Sequence, residues 1–396
     1  MSDPNSNANP PSTHRLAAHQ EPIAKPIAKP IAKPIDTPIT ERIDWLFDLA
    51  ARHGQAWRSS DAALARQRYL SQHTTAMVAL KCMDGRINIP VATNTPTGIV
   101  MPFRNLGGMF NLGWPHLGEV LQHHVMEMMG QGRRVVILIT YHYSAGDPKR
   151  GCAGFGFNKQ ASIDHAWEIR EQVSHIFGQS HDSVYPLVCG FETDEDAITL
   201  HAHRDGPVLN LAECVGIEEA DLASRLSALL PDMAEVMRRD LLPLLMGNLD
   251  HIAQIREQNQ QQMRLLDIEH REWMICLGRG FDWLHTPNLA LIIGPYSPDL
   301  AHPIRTAADI IAGNMAAGRI PDDGFLLLAS VPFDTIGVDR ARAELKAQFL
   351  SRFASTVISE HLPELAAKMH TKTAVLDWQS RRLEPIAAKL ALALFL

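Results

Sequence analysis

Four short stretches of the chain hold residue types from which a reactive centre could be built. They are Cys82-Met-Asp84-Gly-Arg86, Phe103-Arg104-Asn105-Leu-Gly107-Gly108, His142, and Gly151-Cys152-Ala153. Two thiolates (Cys82, Cys152) and an imidazole (His142) make a three-ligand zinc site whose fourth position is left for chemistry. Sulfur donors select zinc over magnesium or calcium. Zinc brings the pKa of a bound water down to about 7, giving hydroxide at neutral pH without a strong protein base. Asp84 and Arg86 suit a different task. A bidentate, charge-assisted grip by Arg86 keeps the carboxylate off the metal and free to accept the nucleophile's proton. Released, Asp84 could close the site as a fourth ligand. Gly107 and Gly108 let backbone approach a small substrate, and with Arg104 and Asn105 they form the expected substrate pocket.

Each stretch alone is a weak signal. A single Cys at a strand end is usually a small buried hydrophobe, and 19 histidines put one near almost any strand. An Arg-Asn-x-Gly-Gly run can be an ordinary turn. The metal reading comes from their combination, in this order, at successive strand ends.

The elements that must position them read as α/β. Ala76 to Lys81 is a buried strand ending at Cys82, and Gly98 to Phe103 a second strand. Gly118 to Met129 is helical, and Arg134 to Tyr141 is a third strand with His142 just after it. Ala161 to Phe177 is another helix and Val184 to Cys189 another strand. Such alternation predicts a mainly parallel sheet flanked by helices, with chemistry at the carboxyl ends of its strands. Ahead of it, Thr40 to Leu70 carries apolar residues at helical spacing and reads as an N-terminal helical segment packed on the next domain. After a long helical stretch (218–271), Leu289 to Gly294, Ile304 to Ala317 and Gly324 to Ser330 read as strand, helix and strand. Their order resembles the first strand, helix and third strand of the catalytic section. A degenerate second α/β copy without metal is expected, with the Cys82 position falling near Gly294 and the His142 position near Pro332. The expected domains are a Pro-rich arm (1–40), a helical segment (41–74), a catalytic zinc domain (75–217), and a helical connection with the metal-free repeat (218–396).

At Cys82, Asp84, Arg86, Arg104, Asn105, Gly107, His142 and Cys152 the sequence resembles the β-class carbonic anhydrases, over about residues 75–205. It departs from the usual His-x-x-Cys spacing, because nine residues separate His142 from Cys152. That longer loop, Tyr143-Ser-Ala-Gly-Asp-Pro-Lys-Arg-Gly-Cys152, is similar to the divergent carboxysome shell carbonic anhydrase branch, as is Thr193-Asp194-Glu-Asp196-Ala-Ile-Thr-Leu-His201. The resemblance implies a Zn2+ enzyme that interconverts CO2 and bicarbonate, one site per chain, a degenerate partner domain, and a homodimer or larger homo-oligomer. The polar N-terminus and the sparse cysteines point to a cytoplasmic protein, free or within a carboxysome; the branch's N-terminal arm can tether it to a Rubisco or shell partner, but the PIAK repeat here has no evident match to such an arm. His116, His123, His124 and His201 are candidate proton shuttles. Two other readings use the same features: a zinc hydrolase of another small linear molecule such as carbonyl sulfide or carbon disulfide, and a non-catalytic docking protein of a CO2-fixing assembly. A purely structural zinc site has no need of Asp84 and Arg86.

Composition narrows the field. The 396 residues exceed one hydrophobic core. A net charge of −7 offers nucleic acid or anionic membrane no general attraction, and no apolar run is long enough to span a bilayer. The five cysteines are too sparse and odd in number for a disulfide scaffold, and Cys189, Cys214 and Cys276 read as structural. From Pro22 the motif PIAK occurs three times. Proline at every fourth position disfavours helix and sheet, so an extended arm is expected.

Overall fold

The computed structural model describes residues 36–260, 269–281, 283–284 and 288–386. The repeat of Pro22 to Lys33, and with it nearly all of the expected arm, lies outside them. Helices α1 (Ile39–Trp57) and α2 (Ser60–Gln72) lead into strand β1 (Ala76–Cys82), the short helix α3 (Ile89–Ala92) and strand β2 (Val100–Asn105). Helix α4 (Pro115–Gly130), strand β3 (Val135–Tyr143), helix α5 (Lys159–Phe177) and strands β4 (Val184–Glu192), β5 (Ala197–His201) and β6 (Val208–Asn210) follow. These strands form one sheet in the order β2-β1-β3-β4-β5-β6, parallel up to β4 and antiparallel beyond.

Burial on both faces explains why β1 reads as a continuous apolar run. Alternate residues Val78 and Leu80 enter a cluster with Leu117, Leu121 and Val125 of α4 and Ile169 and Val173 of α5. Met77 and Ala79 point the other way, into a cluster that continues through the second half of the chain. His142 lies within β3, not after it, because β3 keeps pairing with β4 as far as Tyr143.

Helices α6 (Glu219–Leu229) and α7 (Glu235–Gln260) pack on β5, β6 and α3. Next come β7 (Met274–Gly278), β8 (Ala290–Ile293), α8 (Ala301–Ala316), β9 (Phe325–Phe333), α9 (Val338–His361), α10 (Pro363–Ala366), β10 (Met369–Asp377) and β11 (Arg382–Pro385). Their sheet, β8-β7-β9-β10-β11, repeats the first sheet's order and directions. This corrects the expected correspondence. The strand near 289–294 is the counterpart of β2, and the counterpart of β1 is β7, for which the sequence gives no expected strand. Matching the pairing registers of β1 and β3 to those of β7 and β9 sets Arg279 at the Cys82 position and Pro332 at the His142 position. Gly294 corresponds instead to Arg104.

Helix α1 also departs from expectation, for its polar contacts run to the second sheet's unit. Asp323 accepts from Ile39 N at 2.8 Å, at the helix's positive end, and pairs with the buried Arg42. Trp57 Nε1 donates to Gln379 O at 2.9 Å. Among the described residues, no helix is long and apolar enough to cross a membrane, and all five cysteines are free and buried.

Candidate metal centre

Strand β1 delivers Cys82 at its carboxyl end, β3 delivers His142 from the neighbouring strand, and the loop after β3 returns Cys152. The sulfur atoms of Cys82 and Cys152 and a ring nitrogen of His142 lie within 4.8 Å of one another, all three residues buried. A tetrahedral zinc with Zn–S near 2.3 Å spaces its donors roughly 3.5–3.8 Å apart, so the cluster needs little contraction to hold one. Neither ring nitrogen of His142 has a hydrogen-bond partner although both are buried. A buried imidazole is rarely left so, and a metal bond would satisfy one of its two nitrogens. The hydrogen bond with Cys152, then burial, pushes the Cys82 thiol well above its ordinary range. The same hydrogen bond lowers Cys152 against its own burial, helped by the backbone N–H groups of Gly154 and Phe155. A metal would need both sulfurs deprotonated, so its binding would release protons here.

Asp84 and Arg86 form the expected pair. Arg86 Nη2 donates to Asp84 Oδ2 at 2.7 Å and Nε lies 3.1 Å from both carboxylate oxygens, while Arg86 N donates to Oδ1 at 2.9 Å. Burial alone would raise the Asp84 pKa, but the charge and hydrogen bonds of Arg86 outweigh it and hold the carboxyl well below the usual range. Asp84 is therefore ionised at neutral pH.

The nine-residue loop is clamped from the turn after β4. Asp194 accepts from Ser144 Oγ at 2.8 Å, from Gly146 N at 2.8 Å and from Arg150 Nη2 at 3.3 Å. Glu192 accepts from Ala145 N at 2.8 Å. Arg86 Nη2 reaches Arg150 O at 2.7 Å, tying the loop to the ion pair. These bonds bring Cys152 back to the metal position.

The glycines and their neighbours serve packing. A Cβ on Gly108 would stand 3.0 Å from Thr140 O and 3.5 Å from Cys82 N, and Gly107 lies against Gly154; both are at positive φ. Asn105 Nδ2 donates to Met109 O at 2.7 Å, and Arg104 Nη1 lies 3.4 Å from Asp84 O. Of the candidate shuttles, His201 hydrogen-bonds Tyr141 at 2.9 Å, and His116 stacks on Tyr296.

The second unit also reaches this site, which the sequence reading did not anticipate. The edge strand β8 holds the loop after Cys82: Ile292 N donates to Met83 O at 2.7 Å and Gly85 N to Ala290 O at 3.1 Å. Gly294 N donates to Arg104 O at 2.9 Å. His270 Nε2 lies 3.2 Å from Arg86 Nη2. The only sequence signal for it is His270-Arg-Glu272, a spacing that puts two polar groups on one side of an extended segment.

Residues 67–223 match the family model described as Carboxysome Shell Carbonic Anhydrase, catalytic domain. Over 251 residues the chain is 28% identical to the carboxysome shell carbonic anhydrase of Halothiobacillus neapolitanus (strain ATCC 23641 / c2), covering 53% of this chain and 48% of that protein. The chain thus spans about half the length of the curated relative it matches.

Proposed function

We propose that this chain, whose residues 67–223 form a divergent β-class carbonic anhydrase catalytic domain of the carboxysome shell type, interconverts CO2 and bicarbonate. The observation that carries the reading is the buried Cys82–His142–Cys152 cluster, with its unpartnered imidazole, beside an ionised Asp84 gripped by Arg86. Cys82, His142 and Cys152 would hold zinc, which supplies Lewis acidity and a nucleophile at neutral pH. Three N–H groups of Arg86 occupy the Asp84 carboxylate, which has about four acceptor sites, so it can take one further hydrogen from the nucleophile and fix its direction. Arg86 keeps Asp84 charged and turned to that task. In this reading Arg104, Asn105, Gly107 and Gly108, which pack around Cys82, Asp84 and Gly154, also bound the approach of a small, linear substrate.

The division into a catalytic zinc domain (75–217) and a metal-free repeat (218–396) belongs to the same proposal, supported by the repeated sheet order. So does assembly into a homodimer or larger homo-oligomer, supported by the exposed apolar side chains of Val338, Leu345 and Phe349 on α9. A carboxysomal setting with a shell contact draws its support from the relative's name.

Stopped-flow CO2 hydration on zinc-loaded protein tests the reading. We expect about one zinc per chain and turnover well above a Cys82→Ala control. Turnover no higher than the control, or carbonyl sulfide hydrolysis without CO2 hydration, would overturn it.

A further inference from the structure

We propose that Glu272, a residue of the metal-free half, is a positioning residue that holds Arg86 through His270. The inference rests on the carbonic anhydrase reading of the site. Arginine has no lone pair to offer, so His270 Nε2, 3.2 Å from Arg86 Nη2, faces it as an acceptor, sharing with Arg150 O the Nη2 hydrogen that Asp84 does not take. The imidazole proton then sits on Nδ1 and is donated to Glu272 Oε1 at 2.8 Å. Glu272 is fully buried, and a buried carboxylate is costly unless its oxygens are satisfied. Its other oxygen accepts from Asn314 Nδ2 at 3.0 Å, and that amide is fixed in turn by Arg319 Nη2 on Asn314 Oδ1 at 2.7 Å. Arg319 Nε closes the circuit on His270 O at 3.0 Å.

A continuous polar chain therefore runs from Arg319 through Asn314, Glu272 and His270 to Arg86 and Asp84. Each link fixes the orientation of the next. Without the Glu272 carboxylate, His270 loses the partner that sets its tautomer. With the proton on Nε2 instead, the imidazole would present a donor to the Arg86 donor and push the guanidinium away. The metal-free copy has thus kept a part in the reaction after losing its ligands.

The test uses the full zinc-loaded chain. In wild-type protein, 15N spectra of histidine-labelled enzyme should show His270, assigned by its loss in His270→Gln, as the neutral Nδ1-protonated tautomer. In Glu272→Gln the Nε2-protonated form should grow, CO2 hydration should fall about 10-fold or more, and zinc content should stay unchanged. In a His270→Ala background, Glu272→Gln should cost nothing further. An Nε2-protonated His270 in the wild type, or losses that simply multiply in the double variant, would overturn the proposal. The wild-type spectrum decides even if Glu272→Gln fails to fold. It also decides if the enzyme shows no CO2 hydration, an outcome that would sink the functional reading alone.

Discussion

Gly85, the unremarked fourth residue of Cys82-Met-Asp84-Gly-Arg86, gives the most quantitative perturbation. A Cβ there would lie 2.5 Å from Ala290 O, well inside the 3.0 Å that real Cβ contacts respect. The obstacle is backbone on both sides, so neither partner can swing away. Gly85→Ala must push the loop from β8, stretching Gly85 N→Ala290 O from 3.1 Å and loading Ile292 N→Met83 O, now 2.7 Å. Each lost hydrogen bond costs about 1 kcal/mol, and overpacking typically adds 1–3 kcal/mol. The expected destabilisation is about 2–4 kcal/mol, read as a lowered midpoint in urea. Because Asp84 and Arg86 flank the residue, their displacement by about 1 Å should reduce CO2 hydration on the order of 100-fold. Gly130→Ala is the control. Its Cβ meets nothing within 4 Å, and exchanging a helical glycine for alanine should stabilise by about 0.5–1 kcal/mol. If Gly85→Ala matched Gly130→Ala in stability and activity, the claim that β8 sets the position of the Asp84 loop would be wrong.

Two further outcomes follow from the structure. Asp194→Ala removes the acceptor for Ser144, Gly146 and Arg150, so the loop carrying Cys152 should loosen and zinc affinity fall about 10- to 100-fold. Chelator competition measures this, and an unchanged affinity would show that the loop needs no clamp. Lys81 is fully buried with Nζ on Ile87 O at 2.7 Å; burial, then the Arg104 charge, lowers its pKa well below the ordinary value. The folded state thus binds fewer protons than the unfolded one, so its contribution to stability is present above the unfolded lysine pKa, near 10.4, and lost as pH falls towards the folded value. Lys81→Met should flatten the rise in urea midpoint between pH 7 and pH 10, and an unchanged slope would contradict the assignment.

The metal cluster was legible because each ligand belongs to a short stretch at a strand end of a parallel sheet, where topology itself gathers side chains. Cys82, Asp84 and Arg86 sit on one tight loop, so their spacing alone fixes their mutual reach. What stayed hidden depends on pairing between distant segments. His270 meets Arg86 across 184 residues of sequence, and the His270-Arg-Glu272 spacing does not say which distant segment it faces. Strand β7 is five residues long and follows the polar run Glu269 to Glu272, so periodicity could not separate it from the preceding helical stretch. Losing that strand moved the Cys82 position from Arg279 to Gly294, while the His142 position stayed at Pro332. The destination of α1 was equally hidden, because an amphipathic face records that a helix is buried but not against what.

The central claim is tested most directly by following loss of 18O from labelled CO2 in water at chemical equilibrium, which reports CO2–bicarbonate interconversion itself. The account predicts that the zinc-loaded chain strips the label far faster than buffer, and that chelation or His142→Ala removes the acceleration. Label loss at the buffer rate from protein carrying a full complement of zinc would contradict it.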